Sequence, residues 1–169
     1  SLIGQKSSLT NKLEGISNLP KDSNLVIKLN EKGFYYLNAS DNNTAITYLK
    51  QSEKIAEEID FKTGLAKSCL GLGIIYKNTG DYENAKSYYK KAIQIRKMNN
   101  DQIGAAYVSC NLGIVYSVEG HFDKALESYF NSLSLFEKNN DDYGKANALS
   151  LIANIHFQQN DFKRALLFN

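Results

Sequence analysis

Residues 69–92 read Cys69-Leu70-Gly71-Leu72-Gly73-Ile74-Ile75-Tyr76-Lys77-Asn78-Thr79-Gly80-Asp81-Tyr82-Glu83-Asn84-Ala85-Lys86-Ser87-Tyr88-Tyr89-Lys90-Lys91-Ala92, and the spacing of large and small side chains in them decides the fold. Cys69, Leu72 and Tyr76 recur at i, i+3 and i+7, and Tyr82, Ala85, Tyr89 and Ala92 form a second such stripe after Thr79-Gly80-Asp81. This period places apolar residues on one side of an α-helix, so the stretch predicts two helices and a short turn. Gly80 suits the left-handed conformation that ends a helix, and Asp81 suits the cap of the next.

Working outward, a shift of 40 residues aligns four segments without a gap. Gly33, Gly73, Gly113 and Ala153 fall in register, as do Tyr36, Tyr76, Tyr116 and His156. Ser40, Gly80, Gly120 and Asn160 follow, then Ala45, Ala85, Ala125 and Ala165, then Leu49, Tyr89 and Tyr129, then Ser52, Ala92 and Ser132. A fixed period of this size marks a stacked repeat. Helices are expected near 22–38, 41–59, 62–79, 82–98, 102–119, 122–138, 142–159 and from 162 onward, in units of about 22–61, 62–101, 102–141 and 142–169. Asn99-Asn100-Asp101 and Asn139-Asn140-Asp141 read as turns between units, not as a calcium loop, since they lack alternating oxygen ligands and a terminal Glu. Gly73 and Ala85 let two helices approach closely, while Leu72, Tyr76 and Tyr89 fill the flanks. One pair cannot cover its own apolar surface, so neighbouring units must share a core.

Residues 1–21 fall outside the register; Leu9, Leu13 and Ile16 suggest a short amphipathic helix or linker ahead of Pro20. The start at Ser1-Leu2-Ile3, without Met, and the stop at Asn169 inside a fourth unit predict a piece of a longer protein. Of 169 residues, 43% are apolar and 22% charged, the composition of a folded chain. Twenty Lys plus Arg against eighteen Asp plus Glu give a net charge of +2, too balanced to argue for a nucleic acid or an anionic membrane. The longest apolar run, Cys69 to Tyr76, is far short of the roughly 20 residues that span a bilayer. Two cysteines make no disulfide framework, so the compartment stays open between cytoplasm and periplasm.

Leu72-Gly73-x-x-Tyr76, Gly80-Asp81-Tyr82, Ala85, Tyr89 and Ala92, with a second copy in Leu112-Gly113-x-x-Tyr116, Gly120, Phe122, Ala125 and Tyr129, resemble the tetratricopeptide repeat. The resemblance covers about 22–169 and implies an all-α fold, a right-handed superhelical solenoid of antiparallel helix pairs. The usual unit has about 34 residues; 40 is similar to the longer variant in kinesin light chain, G-protein-signalling modulators and bacterial peptide-sensing regulators. The first unit departs at Lys32 and Leu49, and the fourth has His156 for Tyr. The Asn/Lys-rich style is similar to sensory regions of Bacteroidetes-type signalling proteins, histidine kinases among them. This implies a sensor or scaffold without catalysis or cofactor in this region.

On the second unit's first helix, the side opposite Leu72 and Tyr76 carries Lys67, Leu70, Ile74 and Lys77. In the resembled family this side lines a concave groove that holds a protein or peptide. Equivalent positions supply Asn30 and Phe34 in the first unit, Tyr107, Cys110, Asn111 and Ile114 in the third, and Asn154 in the fourth. Phe34, Ile74, Ile114 and Asn154 occupy one register position. An apolar row there points to a docking groove; alternatively, successive first helices bury Ile74 and Ile114 against each other. Asn30/Phe34, Leu70/Ile74 and Cys110/Ile114 offer no cation for a terminal carboxylate. A second reading is a self-associating adaptor that uses the uncovered end near Leu166 and Phe168 or the edge of the first helix pair.

Other chemistry has weaker support. Gly71-Leu72-Gly73 lacks the third glycine and the preceding strand of a dinucleotide loop. His121 sits in a turn and His156 in a core register, with no Cys or His at metal-ligand spacing. Lys86, Lys90, Lys91, Arg96 and Lys97 interleave with Tyr88 and Tyr89, but the charges suit a solvated outer helix.

Overall fold

The structure, a computed structural model, describes residues 20–168. Those residues are all-helical: α1 (Ser23–Asn38), α2 (Asn42–Glu58), α3 (Lys62–Asn78), α4 (Tyr82–Met98), α5 (Gln102–Val118), α6 (Phe122–Lys138), α7 (Asp142–Gln158) and α8 (Phe162–Leu167). Each helix agrees with its sequence expectation to within one residue at every boundary the sequence defined. The expected helix at Leu9, Leu13 and Ile16 lies outside the described residues.

The 40-residue period is two half-periods of 20, built from turn chemistry. Asp41, Asp81, Asp101, Asp141 and Asp161 each cap a helix by accepting the backbone N–H three residues on. Asp22 does the same for α1 through Leu25. His121 holds this position for α6 without a side-chain cap bond. At the residue before each turn ends, φ is positive: Gly80 and Gly120, as the sequence suggested, but also Ser40, Asp60, Asn100, Asn140 and Asn160. Asn and Asp tolerate this region through local hydrogen bonding. The orphan carbonyls close in the same way each time; Asp81 N–H donates to Tyr76 O at 2.9 Å and Gly80 N–H to Lys77 O at 3.2 Å.

The described chain forms two compact units, with a boundary after Gly71 inside α3. In the first, Val26, Leu29, Tyr48 and Leu49 are buried, and Leu49 packs on Gly33. In the second, Tyr89 packs on Gly73 and Tyr129 on Gly113, while Cys110, Phe136 and Ile152 join Tyr129 in one core. Ser52 and Ser132, which share a register position, tie each helix to the one before it. Their hydroxyls donate to carbonyls of that preceding helix, Val26 O at 3.2 Å and Ala106 O at 3.0 Å. Ala92 fills the same position without a hydroxyl. His156 is buried, whereas Tyr36, Tyr76 and Tyr116 in the same register, which the sequence put in the core, are half-buried.

Candidate functional site

The sequence placed eleven residues on a binding face, and the structure divides them. Asn30 is a correction. It is fully buried, donating from Nδ2 to Gly64 O at 3.0 Å while its Oδ1 accepts from Ser68 Oγ at 3.0 Å. Ser68 and Ser52 Oγ lie 2.9 Å apart, so three buried polar side chains satisfy one another. Helical periodicity put Asn30 on the outer side, but it lies three residues before Gly33 and four after Val26, both buried, and so turns into the α1–α2–α3 junction. Cys110 is the second correction. Only 2% of it is exposed, burial pushes its thiol above the usual range, and it belongs to the second unit's core.

In the first compact unit, which ends at Gly71, Lys67 is exposed and holds its ammonium 5.8 Å from the Phe34 ring centroid, within cation–π range. Phe34 and Leu70 are half-buried. A Cβ on Gly71 would fall 2.8 Å from Leu49 Cδ1 and 3.3 Å from Phe34 Cζ, so the missing side chain makes room first for Leu49 and then for that ring.

In the second unit, Ile74, Lys77, Asn111 and Ile114 are half-buried and Asn154 is exposed. Ile114 packs partly against the core, and one turn beyond it Val118 is 59% exposed. These positions thus carry partly exposed apolar side chains together with amide and ammonium groups. Tyr107 is less available than the sequence suggested. Its hydroxyl donates to Asp141 Oδ2 at 2.7 Å and its ring lies 4.7 Å from that of Phe136. That hydrogen bond, with burial, pushes Tyr107 up to about 12. Asp141 is held below the usual carboxylate range, first by the Gly144 backbone N–H and then by Tyr107. No sequence signal marked this tie, because its partners are 34 residues apart.

The basic stretch on α4 is partly neutralised. Lys86 bonds Glu83 at 2.7 Å and Glu119 at 2.9 Å, which raises its pKa, and Arg96 pairs with Asp101. Tyr89 is fully buried. Among the described residues no helix is long and apolar enough to cross a membrane.

Two family models, both described as tetratricopeptide repeat, match residues 66–97 and 102–169. No curated protein matches the chain by sequence. Among solved structures, BtubC (BKLC) from P. vanneervenii superposes with a TM-score of 0.80 at 19% identity, over 96% of this chain and 68% of that one. The apo form of RapI gives 0.82 at 18% identity, over 99% of this chain and 46% of RapI. The Rap conjugation gene regulator of plasmid pLS20, solved in complex with the Phr* peptide, gives 0.76 at 16% identity, over 94% and 43%. Superpositions of this quality at identities below 20% show a shared fold alone, and the chain spans less than half of either Rap protein.

Proposed function

Because residues 66–97 and 102–169 are tetratricopeptide repeats, we propose that the chain binds a peptide or protein segment and serves as the sensory or scaffolding part of a larger signal-transduction protein, such as a histidine kinase. The observation that carries this reading is that Ile74, Ile114 and Val118, on the first helices of successive repeats, keep solvent exposure, as do Lys77, Asn111 and Asn154 on the same set of helices. An apolar strip edged by amides and a cation fits an amphipathic helix or an extended peptide. The Rap regulator solved with its Phr* peptide supports a peptide as the ligand class. In the first unit, Phe34, Lys67 and Leu70 are the proposed contacts, whereas Asn30 and Cys110 act from within the core.

Panning a random peptide library on the purified chain tests the proposal. Enriched peptides should bind the parent and fail to bind Ile74→Asp with Ile114→Asp, provided circular dichroism shows that the variant keeps its helicity. Ile74→Ser with Ile114→Ser gives a milder version of the same readout. Peptides that bind parent and variants alike would refute the assignment.

Self-association is a second reading, favoured by Leu166 and Leu167 on α8, each 75% exposed; Phe168, expected to be uncovered, is instead half-buried against the core with its ring on His156. Light scattering over a concentration range distinguishes it: a mass that rises with concentration, and falls back in Leu166→Glu with Leu167→Glu, supports the adaptor role.

A further inference from the structure

Two register positions twelve residues apart carry a stacked ring pair in three of the four repeats. Tyr36 stacks on Tyr48 with centroids 5.6 Å apart and planes 8° from parallel. Tyr76 and Tyr88 repeat this at 5.6 Å and 9°. His156 and Phe168 repeat it at 5.7 Å and 12° with different rings. In the third repeat the pair is Tyr116 and Ser128. Among the described residues no ring lies parallel on Tyr116; the Lys124 ammonium stands 5.7 Å from its centroid, and His121 presents an edge at 6.5 Å.

Tyr116 and Ser128 both border a cleft of about 340 Å³ in the second unit, lined also by Leu112, Lys97, Lys124 and Glu127. About 150 Å³ is enough to hold a benzene ring, so the space accommodates the ring that this repeat lacks. Ser128 Oγ donates to Lys124 O at 2.9 Å, which commits its hydroxyl within its own helix.

We propose that this cleft receives an aromatic side chain of a partner polypeptide, stacked on Tyr116 as the chain's own rings stack in the other repeats, with acidic residues beside it. Three instances of the same geometry show what the position accepts: a planar ring lying parallel and offset. Lys97 and Lys124 against Glu127 leave the lining cationic. An incoming ring displaces the Lys124 ammonium from the face of Tyr116, and a neighbouring carboxylate of the partner receives it. A nucleic acid fits less well, since its phosphates call for a run of free cations while Lys86 and Arg96 nearby are paired with carboxylates. The cleft involves neither Ile74 nor Ile114, so this inference stands apart from the peptide-binding surface proposed above.

The test is an NMR titration of the full chain with the blocked tripeptide Asp-Phe-Glu, the blocked tripeptide Asp-Ala-Glu, and adenosine monophosphate. The Phe peptide should shift the amides of Ser109, Tyr116, Lys124 and Ser128 saturably, and the Ala peptide should not. Ser128→Tyr rebuilds the internal stack and should weaken Phe-peptide binding at least tenfold while leaving the fold intact. Lys124→Glu, at an exposed position, should weaken it at least fivefold and decides the matter if Ser128→Tyr fails to fold. Absence of saturable shifts, equal binding of the Ala peptide, unchanged affinity in either variant, or adenosine monophosphate binding there in preference to the Phe peptide would overturn the proposal.

Discussion

The Tyr89 ring packs against the backbone of Gly73 so closely that a Cβ on Gly73 would lie 2.6 Å from its Cδ1 and Cε1. Tyr89 is fully buried and has no room to retreat. Gly73→Leu should therefore cost about 1–3 kcal/mol through overpacking, more than the roughly 1 kcal/mol recovered by removing glycine from a helix. Urea unfolding should show a lower midpoint with an unchanged slope. An unchanged midpoint would mean that α3 and α4 are not locked by this contact.

Asn30 is expected to act on stability rather than on ligand capture. Asn30→Ala removes two buried hydrogen bonds, to Gly64 O and from Ser68 Oγ; Ser68 Oγ keeps Gly64 O and Ser52 Oγ as partners, so the cost is that of the lost bonds, about 1 kcal/mol each. Thermal unfolding should record that loss, and any peptide selected on the parent should keep its affinity below the lowered melting temperature. Parent-like stability with lost affinity would return Asn30 to the binding face.

The uncapped start of α6 offers the opposite sign. His121→Asp supplies the oxygen that Asp81, Asp101 and Asp141 supply elsewhere, and a gain of about 1 kcal/mol is expected. Glu119, whose Oε2 is 3.9 Å from His121 Nδ1, offsets part of it by like-charge repulsion. A stability equal to or below that of the parent would show that repulsion dominates.

The bond between Tyr107 and Asp141 makes a prediction about pH. Tyr107 ionises above its ordinary value of 10, at about 12, so the stabilisation that its bond supplies is complete below pH 10 and is lost as pH rises through about 12. Asp141 has the reverse sense. Its pKa is lowered from 3.8, so its contribution is present above that value and is lost as pH falls through the lowered one. In NMR of ring-labelled tyrosine, Asp141→Asn should bring the Tyr107 titration back toward 10. A titration unmoved by that substitution would break the link.

Helix positions were legible in the sequence because the turn residues repeat with the core: a left-handed Gly, Asn, Ser or Asp every 20 residues from Ser40 to Asn160, followed by a capping Asp at all but Phe61 and His121. The close packing of Gly73 and Gly113 was legible for the same reason. Side-chain fate within a helix was less so. A helical wheel assigns Asn30 and Cys110 to an outer side, but burial depends on which neighbouring helix covers that side, and no single-helix pattern records it. The tie from Tyr107 to Asp141 and the stacked pairs twelve residues apart escaped for a related reason, since each joins two elements whose separation in sequence exceeds one helical turn. Ile74 and Ile114, where the sequence left two outcomes open, lie between them as half-buried residues.

The most direct test of the binding surface is isothermal titration calorimetry with a peptide selected on the parent chain, measured against the parent, Ile74→Asp with Ile114→Asp, and Ser128→Tyr. The account predicts at least a hundredfold loss of affinity for the isoleucine variant and no change for Ser128→Tyr. Retained affinity in a helical isoleucine variant would contradict it.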